Sequence, residues 1–359
     1  MSSQDTQLHP LYESAYKIAY ESALLAEPGE IVFIVGPTGA GKTRICDELR
    51  EALVGGPERW PAGHVPLLYD MAVLSENSYF SSKDMFERIL ELLGDPFLAR
   101  KLAKLSPEEI EKLRAPIRVD QSEKRTRRAA LNLAIARRLR FLMIDEANLL
   151  CMTARSRSPE HHLEGLRVFC QKAGSVLVLA GTVKLLQLWN NSAQVNRKMH
   201  MVHVQRYLPT SSHSVSCVLA IVDHLVEALG LEFKPATLLQ SQIGMVMTVT
   251  GGVFGEIRSL LRRMQINMNA MEEKHITQRV LMASLPAKRQ VERLITEAQA
   301  IEMALQSWTT VEGKKLPTAP EEASHQAASD SADASSGNAA KLKRASRSAR
   351  PPKRARARS

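Results

Sequence analysis

Eight residues, Gly36-Pro37-Thr38-Gly39-Ala40-Gly41-Lys42-Thr43, constrain this chain more than any other feature. They fit GxxxxGK[ST] without deviation and follow the apolar run Ile31-Val32-Phe33-Ile34-Val35. A short apolar run after a Pro28-Gly29 break reads as a buried parallel strand, and residues 44–54 continue as a helix. A glycine-rich turn between such a strand and helix offers backbone N–H groups, an ammonium and a helix N-terminus to a phosphate chain. Gly36, Pro37, Thr38, Gly39, Ala40, Gly41, Lys42 and Thr43 are therefore the expected nucleotide-phosphate cradle. Lys42 is placed to neutralise the β- and γ-phosphates and Thr43 to ligate Mg²⁺.

Strand and helix alternate beyond the cradle. Further strands are predicted over residues 65–71, 141–144 and 175–180, with helices over 122–138 and 159–172. That alternation is the signature of a parallel α/β sheet flanked by helices. A lead-in helix is predicted over 11–25. Residues 76–120 are polar and helix-like, with Pro and Gly breaks. From about Ser212 the pattern is helical only, over 215–229, 235–249, 253–271 and 286–308. The predicted division is a lead-in helix (1–27), an α/β nucleotide-binding core (28–210), a small all-helical lid with a C-terminal helix (211–310) and a disordered tail (311–359). In that last stretch Ala and Ser, then Lys and Arg, leave almost nothing apolar to bury.

Two strand ends, the approach to a short apolar run and one helix start carry the expected chemistry. The run 141–144 ends in Asp145-Glu146, the first acid suited to holding the Mg²⁺ shell and the second to taking a proton from an attacking water. No NKxD-like element accompanies them, which disfavours a GTPase. The run 176–181 ends at Thr182, whose hydroxyl is suited to orienting the water or sensing the γ-phosphate; a plain helix cap is the alternative. Arg197 precedes the short apolar run 199–204 and is the expected arginine reaching a neighbouring subunit's γ-phosphate, with Arg206 as competitor. Arg258, in Gly251-Gly252-Val253-Phe254-Gly255-Glu256-Ile257-Arg258, lies in the first turns of a lid helix and is expected to point at the phosphates. Each arginine has an ordinary surface reading beside the functional one.

Together these elements resemble AAA+ ATPases. More narrowly they resemble the TnsC/TniB transposition regulators, relatives of MuB and IstB, over roughly residues 11–285. The resemblance rests on Gly36–Thr43 as Walker A, residues 144–148 as Walker B, Ala180-Gly181-Thr182 as sensor 1 and residues 252–258 as sensor 2. Asn148 departs from the pattern, since these proteins often carry His there. The resemblance implies ATP and Mg²⁺ as cofactors, and a homo-oligomer, ring or helical filament, that assembles on double-stranded DNA when ATP-bound. It implies recruitment of a transposase, with a target-selection protein, and disassembly on hydrolysis. The family's DNA contacts lie between the Walker motifs, which here means Lys101, Lys104, Lys124, Arg125, Arg127 and Arg128; Lys124, Arg127 and Arg128 share one helical face. A helicase loader of the DnaC type is the nearest alternative. A protein-remodelling ATPase would need an aromatic pore residue; Tyr79-Phe80 lies in the right interval, but aromatics make up only 5% of the chain.

Charge and composition narrow the setting. The formal net charge is +10, but the nine Lys and Arg of residues 341–359, unopposed by any acid, account for most of it and leave +1 for the rest. Nucleic acid would therefore meet a local patch on the body, with the tail as a partner-binding candidate. Four cysteines without CxxC spacing suggest free thiols in a reducing compartment. No apolar run long enough to span a membrane occurs, and MSSQDTQLHP lacks secretory-signal character, so a cytoplasmic protein is expected, nucleoid-associated when on DNA.

Overall fold

Five short apolar runs pair into an all-parallel sheet in a computed structural model that describes residues 9–75, 77–95, 123–153, 158–190 and 198–309. The strands are β1 (Ile31–Val35), β2 (Leu67–Met71), β3 (Phe141–Asp145), β4 (Val176–Gly181) and β5 (Met199–His203), in the order β2-β3-β4-β1-β5. β1, β3 and β4 are buried along their whole length. That burial explains their unbroken apolar composition, since helices cover both faces of a parallel sheet. β5 is the strand that the run 199–204 conceals: two histidines and a half-buried pattern mark it as an edge.

Alternate residues of each strand feed two cores. Val32, Ile34, Met143, Val178 and Ala180 face α1 (Pro10–Leu25) and α2 (Lys42–Val54). Phe33, Val35, Leu142, Ile144 and Leu179 face α3 (Ser82–Leu92), α4 (Glu123–Ala136), α5 (Pro159–Ala173) and the short α6 (Leu185–Asn190). A third core joins α7 (Ser212–Ala228), α8 (Leu238–Val249), α9 (Phe254–Ala270) and α10 (Gln278–Ala283) through Ile221, Met247, Leu260 and Ile276. The long α11 (Lys288–Thr309) follows. This is the expected α/β architecture with an all-helical segment after it.

Several boundaries move for local reasons. Pro66 and Val65 precede β2 instead of entering it, because the Val65 N–H is taken by the Arg137 carbonyl and the Pro66 carbonyl by the Phe141 N–H. α8 begins at Leu238, not at Pro235, and α11 at Lys288, not at Pro286. Within residues 76–120, the described part that is helical is α3, capped by Ser81 accepting from the Asp84 N–H. The tail falls outside the described residues. Among those described, no helix is long and apolar enough to cross a membrane.

α1 owes its close approach to the sheet to three alanines one turn apart, Ala15, Ala19 and Ala23, all buried. Ala19→Leu is expected to lower unfolding free energy by about 1–3 kcal/mol through overpacking, read as a lower urea midpoint at unchanged slope.

Candidate active site

The strand register brings Val35, Met71, Asp145, Gly181 and His203 to one edge of the sheet. Ligands of open α/β sheets bind outside this carboxyl edge. After β1 the chain turns through the glycine-rich loop into α2. Gly41 caps α2 at φ +97, a backbone conformation open to glycine, with the Tyr12 ring 3.3 Å from where a Cβ would sit. Lys42, the first residue of α2, is 7% exposed. Its Nζ donates to the carbonyls of Gly36 at 3.0 Å and Pro37 at 2.9 Å, which leaves one of three ammonium protons for an anion. Burial holds the Lys42 pKa below its ordinary value, against the opposing charges of Glu146, Glu297 and Asp145.

The acid pair at the end of β3 divides into two environments. Asp145 is 1% exposed; its Oδ2 accepts from Thr43 Oγ1 at 2.5 Å and Tyr69 Oη at 3.3 Å, and its Oδ1 from the Glu146 N–H at 2.7 Å. Glu146 is half-buried and lines the cavity. Its φ of +50 is the left-handed region for a non-glycine residue, a conformation costing about 1–2 kcal/mol. The following 3₁₀ turn, Ala147–Cys151, holds it there through fully buried Ala147 and Leu150.

Thr182 stands one residue past β4, beside the acid-tipped β3. It is half-buried and lies outside the cavity lining. Its N–H donates to Asn148 Oδ1 at 3.4 Å, and the same side-chain oxygen would stand 3.1 Å from a Cβ at Gly181. Asn148, the position where the family pattern is broken, thus ties the turn after β3 to the end of β4. The sequence singled it out only as a departure; its Asx chemistry, suited to bonding nearby backbone, was the available signal.

A cavity of about 430 Å³ lies between the cradle, α1 and the start of α9, within the range of nucleotide-sized sites. One wall is aromatic: Tyr12, Tyr207, and a His9–Phe254 pair with edge-on rings 4.2 Å apart. Its far side is the Gly251–Arg258 stretch. The Gly255 N–H donates to the Gly39 carbonyl at 3.0 Å, and the Gly252 carbonyl accepts from the Tyr207 N–H at 2.9 Å. A Cβ on Gly252 would lie 1.7 Å from the Tyr207 carbonyl oxygen, so only glycine fits. Arg258, exposed in the second turn of α9, reaches the cavity. The lysine, the glycine loop and the paired hydroxyl and carboxyl of Thr43 and Asp145 fit a nucleotide with Mg²⁺. Among the described residues no group of three His, Cys, Asp or Glu forms a metal site. Mg²⁺, which keeps waters and phosphate ligands, does not require one.

The remaining candidates part ways. Arg197, Lys101 and Lys104 lie outside the described residues. Arg206 is committed within its own chain: Nε and Nη2 pair with both Glu302 oxygens at 2.7 and 3.0 Å, and Nη1 donates to the Gly251 carbonyl. On α4, Lys124, Arg125 and Arg128 are exposed. Arg127 is not a free member of that face. Its Nη2 donates to the Gly165 carbonyl at 2.8 Å and its guanidinium lies 5.6 Å over Phe86, so it fastens α4 to α5 and α3.

Residues 26–189 match the family model of the AAA domain. With the parallel sheet and the cradle, this makes the fold that of an AAA+ P-loop protein, and the domain a nucleotide-binding ATPase domain. Among solved structures the chain is similar to a Walker-type ATPase of Pyrococcus abyssi, at 12% identity and TM-score 0.49, over 82% of this chain and 75% of that one. It is also similar to the ORC2 protein of Aeropyrum pernix, at 14% and 0.45, over 76% and 66%. The RuvB Holliday junction branch migration motor of Thermotoga maritima follows at 14% and 0.38, over 77% and 67%. No curated protein matches in sequence.

Asn148→Ala removes the tie between the two strand ends. ATP turnover is expected to fall roughly ten- to a hundredfold through misplacement of the β3 and β4 ends, with nucleotide affinity changed by less than about twofold. Steady-state hydrolysis and nucleotide titration on the same preparation separate the two.

Proposed function

We propose that the chain is an ATP-dependent regulator of DNA transposition of the TnsC/TniB kind. It assembles as a homo-oligomer on double-stranded DNA in the ATP state, recruits a transposase, and disassembles on hydrolysis. One observation carries this reading: the Gly251–Arg258 stretch, the part of the sequence that most resembles this subfamily, hydrogen-bonds the phosphate cradle through Gly255 and brings Arg258 to the cavity. A cavity formed jointly by cradle and lid responds to its occupant by moving the lid, which suits a switch.

The proposed roles follow from position. The loop Gly36–Thr43 and Lys42 bind the phosphates; Thr43 and Asp145 hold the Mg²⁺ and its waters. Glu146 accepts the proton of the attacking water on its carboxylate, Thr182 and Arg258 sense or position at the γ-phosphate, and Arg197 acts on a neighbouring subunit's site. Bound ATP with Mg²⁺ supplies the scissile phosphoanhydride and its charge neutralisation. Lys124, Arg125 and Arg128 are the described cations offered for phosphate contacts with DNA; Arg127 supports their helix. The proposed bodies are residues 28–210 and 211–310, in a cytoplasmic protein.

Glu146→Gln is expected to keep nucleotide affinity while lowering turnover roughly 10²- to 10⁴-fold, and to accumulate DNA-bound assemblies. Lys42→Ala is expected to weaken ATP binding roughly 10- to 100-fold and to abolish assembly. Electron microscopy with duplex DNA tests the whole reading: rings or filaments with β,γ-imido-ATP and none with ADP support an ATP-gated DNA clamp. Absence of DNA-bound assemblies with either nucleotide sinks it in favour of a loader or a protein-directed ATPase.

A further inference from the structure

The helix α11 returns from the helical lid to the nucleotide site and meets it with carboxylates. Both oxygens of Glu297 accept from Thr38 Oγ1, in the phosphate cradle itself, at 3.2 Å. Five residues further along the helix, a rise of about 7.5 Å, Glu302 holds Arg206 through two hydrogen bonds. Arg206 is only 9% exposed and also donates to the carbonyl of Gly251, in the turn between α8 and α9. Between these two points Ala298 and Ile301 are buried, and one turn before Glu297 the Leu294 side chain lies 3.2 Å from the Cβ position of Gly251. One helix thus touches the cradle, the Gly251 turn and the arginine after β5 through two acids and the apolar side chains of Leu294, Ala298 and Ile301.

The Glu297 contact is electrostatically odd for a site built to receive an anion. The cradle's cation, Lys42, already faces Glu146 and Asp145, and Glu297 adds a third negative charge acting on it. A phosphate chain entering the cradle brings further negative charge to the same lip. Like charges at a shared, partly desolvated site repel, and the weaker-held group yields.

We propose that α11 is a nucleotide-sensitive latch: Glu297 on Thr38 and Glu302 on Arg206 hold the helix down when the cradle is empty, and an incoming nucleoside triphosphate displaces it. This rests on the nucleotide reading of the cavity. Displacement opens the cradle's lip, frees the Gly251 turn of its Arg206 contact, and exposes Arg206 for contact with another subunit. By linkage, the docked helix lowers nucleotide affinity by the same factor by which nucleotide lowers docking.

Two measurements on the full chain test the latch: titration with a fluorescent ATP analogue, and hydrogen exchange of the α11 amides over residues 294–305 with and without β,γ-imido-ATP. In the unmutated protein the nucleotide is expected to speed that exchange about tenfold or more. Glu297→Gln keeps a group able to accept from Thr38 but removes the charge. It is expected to bind the analogue about five- to tenfold more tightly and to show α11 exchange nearly independent of nucleotide. Glu302→Gln is expected to speed α11 exchange already without nucleotide. Nucleotide binding with unchanged α11 exchange in the unmutated protein overturns the latch and leaves the nucleotide reading intact. Failure of the unmutated protein to bind the analogue overturns both.

Discussion

The arrangement of this protein depends on how one buried carboxyl group, that of Asp145, is satisfied. An acid left without partners in such a place costs several kcal/mol. Its partners come from three directions: Thr43 from the junction of β1 and α2, Tyr69 from β2, and its own chain at Glu146. Those bonds exist only if β3 lies next to β2 and the cradle turns over the carboxyl edge of the sheet. The polar requirement of one side chain and the order of the strands therefore support each other, and the hydroxyl and carboxyl proposed to hold the metal are preassembled in the process.

The second organising feature is the seam between the cradle and the glycine-rich start of α9. Gly39 and Gly255 share a backbone hydrogen bond, and Gly252 passes Tyr207 at a separation that excludes any side chain. Backbone contact of this kind transmits displacement better than side chains do, since no rotamer can absorb it. α11 crosses the same seam from outside. The nucleotide site is thus bordered on one side by elements held through backbone and on the other by a helix held through charge at Glu297 and Glu302 and through buried Ala298 and Ile301. The charge contacts are the ones an anion perturbs.

Charge also shows where reading the chain residue by residue falls short. Helical spacing groups Lys124, Arg127 and Arg128 correctly on one face, yet Arg127 turns inward to Gly165 and Phe86. A long amphipathic side chain is as able to pack its stem as to meet solvent, and spacing does not say which neighbour awaits it. Arg206 is the same case: in sequence the competitor to Arg197 for a neighbouring subunit's phosphate, it is clamped within its own chain because α11, nearly a hundred residues away, supplies Glu302.

What the sequence determined by itself is the chemistry that local rules dictate. The cradle needs glycines, Lys42 and Thr43 in one uninterrupted stretch, and buried parallel strands need unbroken apolar runs. β1, β3 and β4 were legible almost to the residue, as was the glycine-rich start of α9. The sequence also placed Asp145 and Glu146 at a strand end. β5 was hidden because an edge strand has half the burial and hence no clear pattern, and α6 and α10 because six residues carry little periodicity. Only the tertiary structure decided that Asn148 ties two strand ends, that Arg127 and Arg206 are internal, and that Glu297 sits on the cradle. Those contacts join residues far apart in the chain, and no periodicity or motif encodes which distant partner a polar side chain will find.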